Sequence, residues 1–242
     1  MIIEPDDYLF PCTKQRSMRR AWLLLWILFS LAQAATLNVG PNGSIQAAIF
    51  TAQPGDVIVV SNGIYYEHLK VDKPITLHGE GTPLLDATAS GSAITLQADG
   101  ITVEGFRIIN AGTWPAKETQ EAGIVVLSSG NRIKRNNVSN NFNGILLQSA
   151  TNNSILDNNV CRNLGFGIRL ESASNNTIAN NILEENHQNA FDDGVNLWEM
   201  NHYGDFDVPR EGCSDTGDSI CEHGYALAGG MNVDRQPRSK FL

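Results

Sequence analysis

An asparagine-rich segment recurs three times in the middle of the chain, and the copies align without gaps. Each copy reads Asn-x-Ile-x-x-Asn-x-aliphatic, and successive copies are offset by 22 and 23 residues. A fixed period near 22 residues is typical of a solenoid, in which each repeat packs only against its neighbours. The matched positions are Asn131, Asn153 and Asn176; Ile133, Ile155 and Ile178; Asn136, Asn158 and Asn181; and Val138, Val160 and Leu183.

Within each copy, aliphatic residues occupy alternate positions, which indicates short strands with one face directed inward. A Gly-Ile-x-aliphatic strand precedes each copy and begins at Gly123, Gly144 and Gly167. Two or three such strands make one coil, and stacked coils pair in parallel. The sequence therefore predicts an all-β fold, a single-stranded right-handed parallel β-helix of the pectate-lyase-like type.

The asparagines suit this fold for two reasons. Asparagine tolerates the left-handed backbone conformation that tight turns need. Stacked side-chain amides can also bond from coil to coil at the strand spacing of about 4.8 Å. In the predicted register Ile155 points inward between Ile133 and Ile178, and its neighbour Ser154 points outward.

Both ends of a solenoid expose unpaired strand edges and need a cover. Residues 44–52 have the pattern of a short amphipathic helix with Ser44 as its N-cap. We expect this helix to close the front of a β-helix that spans residues 35–188. The repeat stops after Asn186, and residues 189–242 are predicted to form an irregular C-terminal cap.

The first 34 residues differ from the rest of the chain. A basic stretch, Lys14–Arg20, runs into the apolar segment Ala21–Ala34, whose 14 residues are fewer than the about 20 that a membrane-spanning helix needs. This pattern is typical of a signal peptide, and Ala32-Gln33-Ala34 supplies the small residues of a cleavage site. An uncleaved membrane anchor is the alternative. Met18 is a second candidate start for translation, in which case residues 1–17 are not made.

The net charge of the chain limits the classes of molecule that it can bind. Removal of the signal peptide takes away 4 of the 17 basic and 3 of the 26 acidic residues, which leaves a formal net charge of −10. An acidic surface repels phosphate backbones, which argues against nucleic acid as a partner. The remaining residues are enough for one domain. They contain no second long apolar segment, so no membrane association is expected after cleavage.

Both ends of the predicted β-helix carry further motifs. The front segment Ser44–Gly81 reads SIQAAIFTAQPGDVIVVSNGIYYEHLKVDKPITLHGEG. The rear contains Trp198, a loop bounded by Cys213 and Cys221, Tyr225, Gly229-Gly230, Val233-Asp234 and Pro237. Together with the asparagine repeat, these motifs resemble the NosD-type β-helix proteins, a family often labelled periplasmic copper-binding. The resemblance implies the β-helix fold. It implies copper binding only through the family's label, because one fold supports many functions.

Enzymes that cleave polysaccharides need two or three carboxylates that converge on one face. In the predicted register one outward column holds Thr95, Val125, Leu146 and Arg169, and the next holds Thr102, Arg132, Ser154 and Thr177. Neither column has a carboxylate. Coil-to-coil ion pairs are expected between Glu104 and Lys134 and between Arg135 and Asp157. The candidate catalytic residues are Glu104, Glu118, Asp192 and Asp193, of which the aspartates lie in the predicted cap.

Sugar-binding sites usually use exposed aromatic side chains, and the candidates here are Tyr65, Tyr66 and Trp114. Trp114 lies in the insertion Ala111–Glu121, which interrupts the repeat. Loops that leave a rigid solenoid are where binding residues tend to lie. The alternative for Trp114 is packing over its own loop.

The predicted cap also gathers metal ligands. Copper accepts sulfur and imidazole ligands, and the candidates are Met200, His202 and His223. Their spacing matches no compact metal motif. An exported protein is expected to oxidise its thiols, so Cys213 and Cys221 are predicted to form a disulfide. Packing within the cap and exposure at the surface are the alternatives for the copper candidates.

Calcium is the second candidate metal, because it prefers oxygen-rich loops. Its candidate ligands are Asp205, Asp207, Asp215 and Asp218, and the alternative for them is a solvated acidic loop.

Four asparagines begin sequons for N-glycosylation, three of them within the repeat itself: Asn42, Asn137, Asn152 and Asn175. Cys161 has no predicted partner.

These residues favour an exported, non-catalytic β-helix protein that binds or builds polysaccharide or other cell-surface material, outside the cell or in the periplasm. A carbohydrate-active lyase, hydrolase or epimerase is the second hypothesis. A copper-binding accessory protein of a periplasmic metalloenzyme is the third. The sequence itself names no ligand.

Cleavage of the signal peptide after Ala34 is the first testable expectation. N-terminal sequencing of the exported protein should read Ala35-Thr36-Leu37, because the small residues of the cleavage site end there. Recovery of an intact chain that starts at Met1 or Met18 in the membrane fraction would contradict this prediction.

Overall fold

The structure, a computed structural model, describes residues 33–112, 120–206, 208–215 and 217–239. The predictions for the signal peptide, Trp114, Glu118 and Asp207 fall outside these ranges, except that Gln33 and Ala34 are described. Within them lie one α-helix, α1 (Ile45–Thr51), and one 3-10 helix (Pro209–Glu211). The strands are β1 (Thr36–Val39), β2 (Val57–Ser61), β3 (Ile64–Tyr65), β4 (Leu69–Val71), β5 (Thr76–Glu80), β6 (Leu84–Asp86), β7 (Ile94–Leu96), β8 (Thr102–Glu104), β9 (Arg107–Ile109), β10 (Ala122–Val126), β11 (Arg132–Lys134), β12 (Asn137–Ser139), β13 (Asn143–Gln148), β14 (Ser154–Leu156), β15 (Asn159–Cys161), β16 (Phe166–Glu171), β17 (Ser174–Ala179), β18 (Ile182–Glu184), β19 (Gln188–Asp192), β20 (Val195–Glu199), β21 (His202–Tyr203), β22 (Tyr225–Ala226) and β23 (Val233–Asp234).

Three parallel sheets run the length of the molecule. Sheet 1 has the order β1-β2-β5-β8-β11-β14-β17-β20, sheet 2 has β3-β6-β9-β12-β15-β18-β21, and sheet 3 has β4-β7-β10-β13-β16-β19. From β2 onward the chain passes through sheets 1, 2 and 3 in turn. Each strand from β5 to β21 therefore pairs with the strand three positions earlier in the chain. The result is a right-handed parallel β-helix of about 7 turns, which confirms the predicted fold.

The core lies between the three sheets and is filled by the alternate aliphatic residues of each strand. Ile155 pairs in register with Ile133 on one side and Ile178 on the other, and all three are fully buried. Ser154 faces outward and is partly exposed. The predicted inward and outward register is therefore confirmed. Trp198 pairs with Ile178 in the last coil and closes this column of core residues.

Buried asparagines stack along the corners of the coils in three continuous ladders. At each step the asparagine of one coil donates both its backbone N–H and its Nδ2 to the Oδ1 of the asparagine in the next coil. Asn158, for example, donates to Asn181 Oδ1 at 2.9 Å and 3.0 Å, and its Nδ2 also reaches the carbonyl oxygen of Ile133. The members are Asn131, Asn153, Asn176 and Asn196; Asn136, Asn158, Asn181 and Asn201; and Asn141, Asn163 and Asn186.

The second expected role of asparagine, adoption of the left-handed backbone conformation, is confirmed at some corners only. Except before Asn196, the residue that precedes a ladder asparagine has a positive φ. It is asparagine at four corners, Asn140, Asn152, Asn175 and Asn180, glycine at Gly130, and another residue at five: Arg135, Asp157, Arg162, Glu185 and Met200. A left-handed backbone costs such residues roughly 1–2 kcal/mol each. The amide bonds of the following asparagine offset this cost, because each satisfies several buried polar groups.

Glycine is required at the second position of three long strands of sheet 3, β10, β13 and β16. A Cβ atom on Gly144 would overlap the carbonyl oxygen of Gly167 in the next coil and the side chain of Val160. The coils therefore approach each other too closely here for any side chain. This explains the glycine of the Gly-Ile-x-aliphatic pattern.

The front of the solenoid is closed by β1 and α1, which confirms the predicted capping helix at residues 44–52. Ser44 is the N-cap and accepts a hydrogen bond from the backbone N–H of Ala47. Two residues of the first coil fasten the helix at its ends. Glu67 accepts from the backbone N–H groups of Ile45 and Gln46, and Lys73 donates to carbonyl oxygens at the C-terminal end. Both charges complement the helix dipole.

The solenoid continues further toward the C-terminus than the sequence boundary at residue 188. Strands β19, β20 and β21 still belong to the three sheets, so the last coil ends at Tyr203. The explicit repeat ends at Asn186, yet Asn196 and Asn201 extend two of the ladders with a shorter spacing of 20 residues. Because this coil is shorter than the others, the alignment of the repeat does not extend to it.

Each asparagine ladder leads to an aspartate near the rear of the molecule. The last side-chain amides have no further coil to reach, and a carboxylate oxygen accepts from them directly in two ladders and through Asn189 in the third. Asp192 and Asp234 are fully buried in this role. The terminal contacts are Asn196 to Asp192, Asn201 to Asp234, and Asn186 through Asn189 to Asp205.

The rear cap packs on these aspartates. Tyr225, from the antiparallel pair β22 and β23, stacks on Tyr203 of the last coil with ring centroids 3.7 Å apart. Burial, followed by the charge of Asp234, raises the pKa of Tyr203 well above its usual range. Cys213 and Cys221 form the predicted disulfide, which closes a short loop of this cap. The described residues belong to one compact unit that begins at Gln33.

Substitution of Ile155 by Asp should strongly destabilise the protein, whereas substitution of its neighbour Ser154 by Asp should have little effect. The first change buries a carboxylate without a partner, at a cost of several kcal/mol, comparable with the stability of a typical domain. Thermal unfolding of the two variants measures the difference. Equal melting temperatures would show that the inward and outward register is wrong.

Substitution of Asn158 by Ala should cost about 3 kcal/mol or more. It removes the acceptor of the Asn136 N–H and of one Nδ2 hydrogen of Asn136, and a donor to the carbonyl of Ile133, and a buried unsatisfied group costs about 1–3 kcal/mol. Asn159→Ala is the matched control, because the Oδ1 of Asn159 accepts no hydrogen bond. Chemical denaturation should find the control within about 0.5 kcal/mol of the native protein. Comparable losses in both variants would refute the ladder as a source of stability.

Candidate functional site

The outer face of sheet 3 changes character along the solenoid. One outward column runs through Thr95, Val125, Leu146 and Arg169, as predicted, and continues to Phe191 in the last strand of the sheet. Val125 and Leu146 are buried, although they point away from the core, and form a small cluster with Ala122. The column therefore passes from apolar side chains to a guanidinium group beside an aromatic ring.

Arg169 is the centre of this arrangement. Its guanidinium carbon lies 4.7 Å from the ring centroid of Phe166 and 5.6 Å from that of Phe191, which are cation–π distances. The two rings meet edge to face at 5.6 Å. Arg169 also forms an ion pair with Glu171, two residues along the same strand and on the same face. Its Nε–H is buried and has no acceptor in the protein.

A cleft of about 540 Å³ opens over these residues. This volume falls in the range of roughly 300–1,000 Å³ that small-ligand sites occupy. One part of its lining is apolar and includes Phe142, Phe166 and the largely exposed Leu164. The other part is polar and consists of Arg169, Glu171, His187, Gln188 and Gln120. A mixed lining of this kind suits a ligand with one apolar and one hydroxyl-rich side.

Both described ends of the Ala111–Glu121 insertion lie beside the cleft. Gly112 packs directly against Phe142, and Gln120 contributes to the lining. The predicted binding residue Trp114 and the candidate Glu118 fall between them, outside the described residues. Their roles therefore remain predictions.

Glu104 lies on the opposite side of the solenoid, on the outer face of sheet 1. Lys134 Nζ is 3.1 Å and His78 Nδ1 is 3.0 Å from its carboxylate oxygens, and Arg135 also pairs with it. The expected pair with Lys134 is present, but Arg135 contacts Glu104 rather than Asp157, because Glu104 is near enough to both bases. Partial burial raises the pKa of Glu104, but the bonds and charges of Lys134, His78 and Arg135 outweigh this and hold it below its usual range. An ionised carboxylate with three partners is poorly suited to donate a proton.

The aspartate candidates serve the rear of the solenoid. Asp192 is fully buried and accepts from the backbone N–H of Gly194, from Asn196 Nδ2 and from the indole N–H of Trp198 at 2.7 Å. All of these donors belong to the last coil. Asp193 is exposed and accepts from the backbone N–H of Ser172. The buried carboxylate thus faces protein donors rather than a substrate.

The two tyrosine candidates differ in exposure. Tyr65 was expected to be an exposed aromatic, and this expectation is wrong: only 3% of it is exposed, and its hydroxyl donates to the carbonyl oxygen of Ser61 at 2.8 Å. The strand alternation turns Tyr65 into the core. Its neighbour Tyr66 points outward and is 66% exposed.

The copper candidates are not arranged as a metal site. Both ring nitrogens of His202 have protein partners, Glu184 Oε1 at 3.0 Å and the carbonyl oxygen of Arg238 at 3.3 Å. The two cap cysteines are oxidised to a disulfide. His223 is exposed, and Met200 occupies a left-handed turn position. In the part of the chain that the structure describes, no group of three or more His, Cys, Asp or Glu residues is placed to hold a metal ion. These residues do not fit the copper that the family's label implies.

The calcium candidates bond to the protein itself. Asp215 accepts from the backbone N–H groups of Gly217 and Ser219 and from the hydroxyl of Ser239 at 2.6 Å, and the bond from Ser239 is the main cause that lowers its pKa. Asp218 accepts from the backbone N–H of Ile220. Asp205 accepts from Asn189 and from the hydroxyl of Tyr225. Asp207 lies outside the described residues.

The remaining predicted positions lie at the surface. All four sequon asparagines, Asn42, Asn137, Asn152 and Asn175, are exposed. Cys161 is a half-buried free thiol between Ser139 and Glu184, in the predicted register. Burial is the main cause that raises the pKa of this thiol.

The cleft around Arg169 was not among the sites predicted from the sequence. The sequence places Arg169 correctly in the outward column, but Phe191 falls within the predicted cap, residues 189–242, and is therefore not aligned with it. A signal was present in the sequence, because the Gly-Ile-Arg-Leu-Glu copy is the only one of the three that carries charges at its outward positions. Phe166, the residue immediately before this copy, supplies the aromatic ring that Arg169 contacts.

Comparison with known proteins supports the fold and the family. The family model described as "Periplasmic copper-binding protein (NosD)" matches residues 42–206. A cell surface glycoprotein of Methanothermus fervidus is 33% identical over 104 residues, which cover 38% of this chain and 18% of that protein. A probable ABC transporter binding protein NosD of Pseudomonas aeruginosa is 34% identical over 101 residues, which cover 40% of this chain and 23% of that protein. The matched part is thus a minor fraction of both relatives.

Among solved structures, pectate lyase Pel9A has a TM-score of 0.59 with 17% sequence identity. The match covers 82% of this chain and 58% of the lyase, and at this identity it shows the fold alone. None of the helices in the described residues is long and apolar enough to cross a membrane. The family match spans more than half of the chain, from the capping helix to the last coil, and the chain therefore belongs to the NosD family.

Proposed function

We propose that this protein is an exported β-helix protein that binds polysaccharide in the cleft around Arg169. The observation that carries the proposal is the cleft itself, in which Arg169 and Glu171 stand beside the partly exposed ring of Phe166. Sugars present hydroxyl groups at their edges and C–H groups on their faces. Ion-paired polar groups beside apolar rings can contact both.

A location outside the cytoplasm supports this proposal. The family description names a periplasmic protein, and one relative is a cell surface glycoprotein. The disulfide between Cys213 and Cys221 suits an oxidising compartment. Polysaccharides of the cell envelope are the abundant ligands in such a place.

The two alternative functions have less support. Hydrolysis or elimination needs two groups within reach of one bond. Glu171 is paired with Arg169, and Glu104 is enclosed by three bases on another face. The copper hypothesis rests on the family description, since the candidate ligands have other partners. Neither alternative is favoured by a specific contact.

Binding of the purified protein to a panel of polysaccharides, measured by affinity electrophoresis, tests the proposal. Arg169→Ala should weaken binding at least about tenfold, since one charge-assisted bond is worth roughly 1.5–3 kcal/mol. Arg132→Ala is the matched control, because Arg132 is an exposed outward arginine on sheet 1. It should bind like the native protein.

Absence of binding to every polysaccharide in the panel would refute the proposal, and so would equal binding by the two arginine variants. The same samples should be assayed for new reducing or unsaturated ends, with and without Ca²⁺. None is expected. Their appearance would show that the protein is an enzyme rather than a binding protein.

A further inference from the structure

We infer that the ligand of the Arg169 cleft is an uncharged glycan rather than a uronate-containing or sulfated one. This inference rests on the proposed function and specifies the class of its ligand. It follows from how the charges of the cleft are arranged.

With histidine counted as neutral at pH 7, the formal charges of the described lining residues cancel. Arg169 and Glu171 form an ion pair, with 26% and 19% of their side chains exposed. The amides of Gln120 and Gln188 bring further hydrogen-bonding groups without formal charge. An acidic sugar would need an uncompensated cation, as bidentate guanidinium–carboxylate recognition requires. Here the guanidinium already has its carboxylate.

Glu171 also opposes an acidic ligand directly. A uronate carboxylate that approached Arg169 would lie beside the carboxylate of Glu171, and like charges at short range are unfavourable, the more so in a partly enclosed cleft. The whole molecule adds to this effect, because its formal net charge is −9 at pH 7. A neutral sugar meets neither obstacle.

The same pair is well matched to neighbouring hydroxyl groups. A carboxylate only accepts and a guanidinium only donates, whereas a hydroxyl group does both. Two adjacent hydroxyls can therefore donate to Glu171 and accept from Arg169 at the same time. The apolar lining of Phe142, Leu164 and Phe166 then faces the C–H side of the ring.

The test compares laminarin and mannan, which are uncharged, with polygalacturonate and alginate, at 20 mM and 300 mM NaCl. Affinity electrophoresis should show retardation by an uncharged polysaccharide and none by the two polyuronates. The affinity for the uncharged ligand should change less than twofold between the two salt concentrations, because counterion screening weakens only charged interactions.

Glu171→Gln separates the charge argument from mere disruption of the cleft. The substitution keeps the shape of the side chain but leaves Arg169 uncompensated. We expect at least a fivefold loss of affinity for the uncharged glycan and new, salt-sensitive binding of polygalacturonate. Glu185→Gln is the matched control, because Glu185 forms a comparable ion pair with Arg162 at the surface. It should change neither affinity.

The outcomes distinguish the inference from the function on which it rests. A native protein that prefers a polyuronate, with binding lost in Arg169→Ala, overturns the inference and leaves the proposed function in place. Binding of an uncharged glycan that Glu171→Gln leaves unchanged also overturns the inference. Absence of binding to every polysaccharide removes both.

Discussion

The hydrogen bonds between stacked asparagine side chains are the interaction on which the rest of this structure depends. Every coil must turn three corners, and most of the corners in the repeat place a residue other than glycine in the left-handed region, at a cost of roughly 1–2 kcal/mol each. A single net hydrogen bond contributes about 0.5–1.5 kcal/mol. One hydrogen bond per corner would not reliably offset the cost of the left-handed backbone. An asparagine such as Asn158 donates to the next coil twice and to the preceding coil once, and it accepts from Asn136 as well. The ladder therefore makes the tight coil favourable.

The donors of the last asparagine in each ladder need acceptors outside the ladder. Inside the solenoid each Oδ1 accepts from the preceding coil, so the last asparagine in every ladder has donors that point past the final coil. A neutral acceptor would suffice in principle, and Asn189 is one at the third ladder, but the other two ladders end directly on fully buried aspartates. The carboxylates accept charge-assisted bonds, which are the stronger kind. Asp234 reaches back from the cap to do this, so the irregular rear segment is fastened to the regular solenoid through the ladder itself.

The parts of the structure that could be predicted from the sequence are those that repeat. The register of Ile133, Ile155 and Ile178, the outward column of Arg169 and the capping helix at Ser44 all follow from local patterns whose physical meaning is unambiguous. The tertiary partners could not be predicted. Glu67 and Lys73 fasten the capping helix from a distance of more than 20 residues, and no pattern links them to it. Tyr65 was misjudged because a two-residue strand, Ile64–Tyr65, is too short to show its alternation. The cleft was missed because Phe191 lies in a coil whose spacing departs from the repeat.

The separation between corner and outward positions has a consequence for function. Because the ladders and the core fix the fold, the exposed outward positions can vary with little loss of stability, and a family match over residues 42–206 then specifies architecture but not ligand. The chemistry of this chain must therefore be judged from its own outward residues. On sheet 1 these enclose Glu104 with three bases, and on sheet 3 they place the ion pair of Arg169 and Glu171 against two phenyl rings. Arg169 and Glu171 of the second arrangement both line a cleft large enough for a small ligand. A rigid solenoid holds such a site without reorganisation on binding, so a few contacts there retain more of their free energy than they would on a flexible loop.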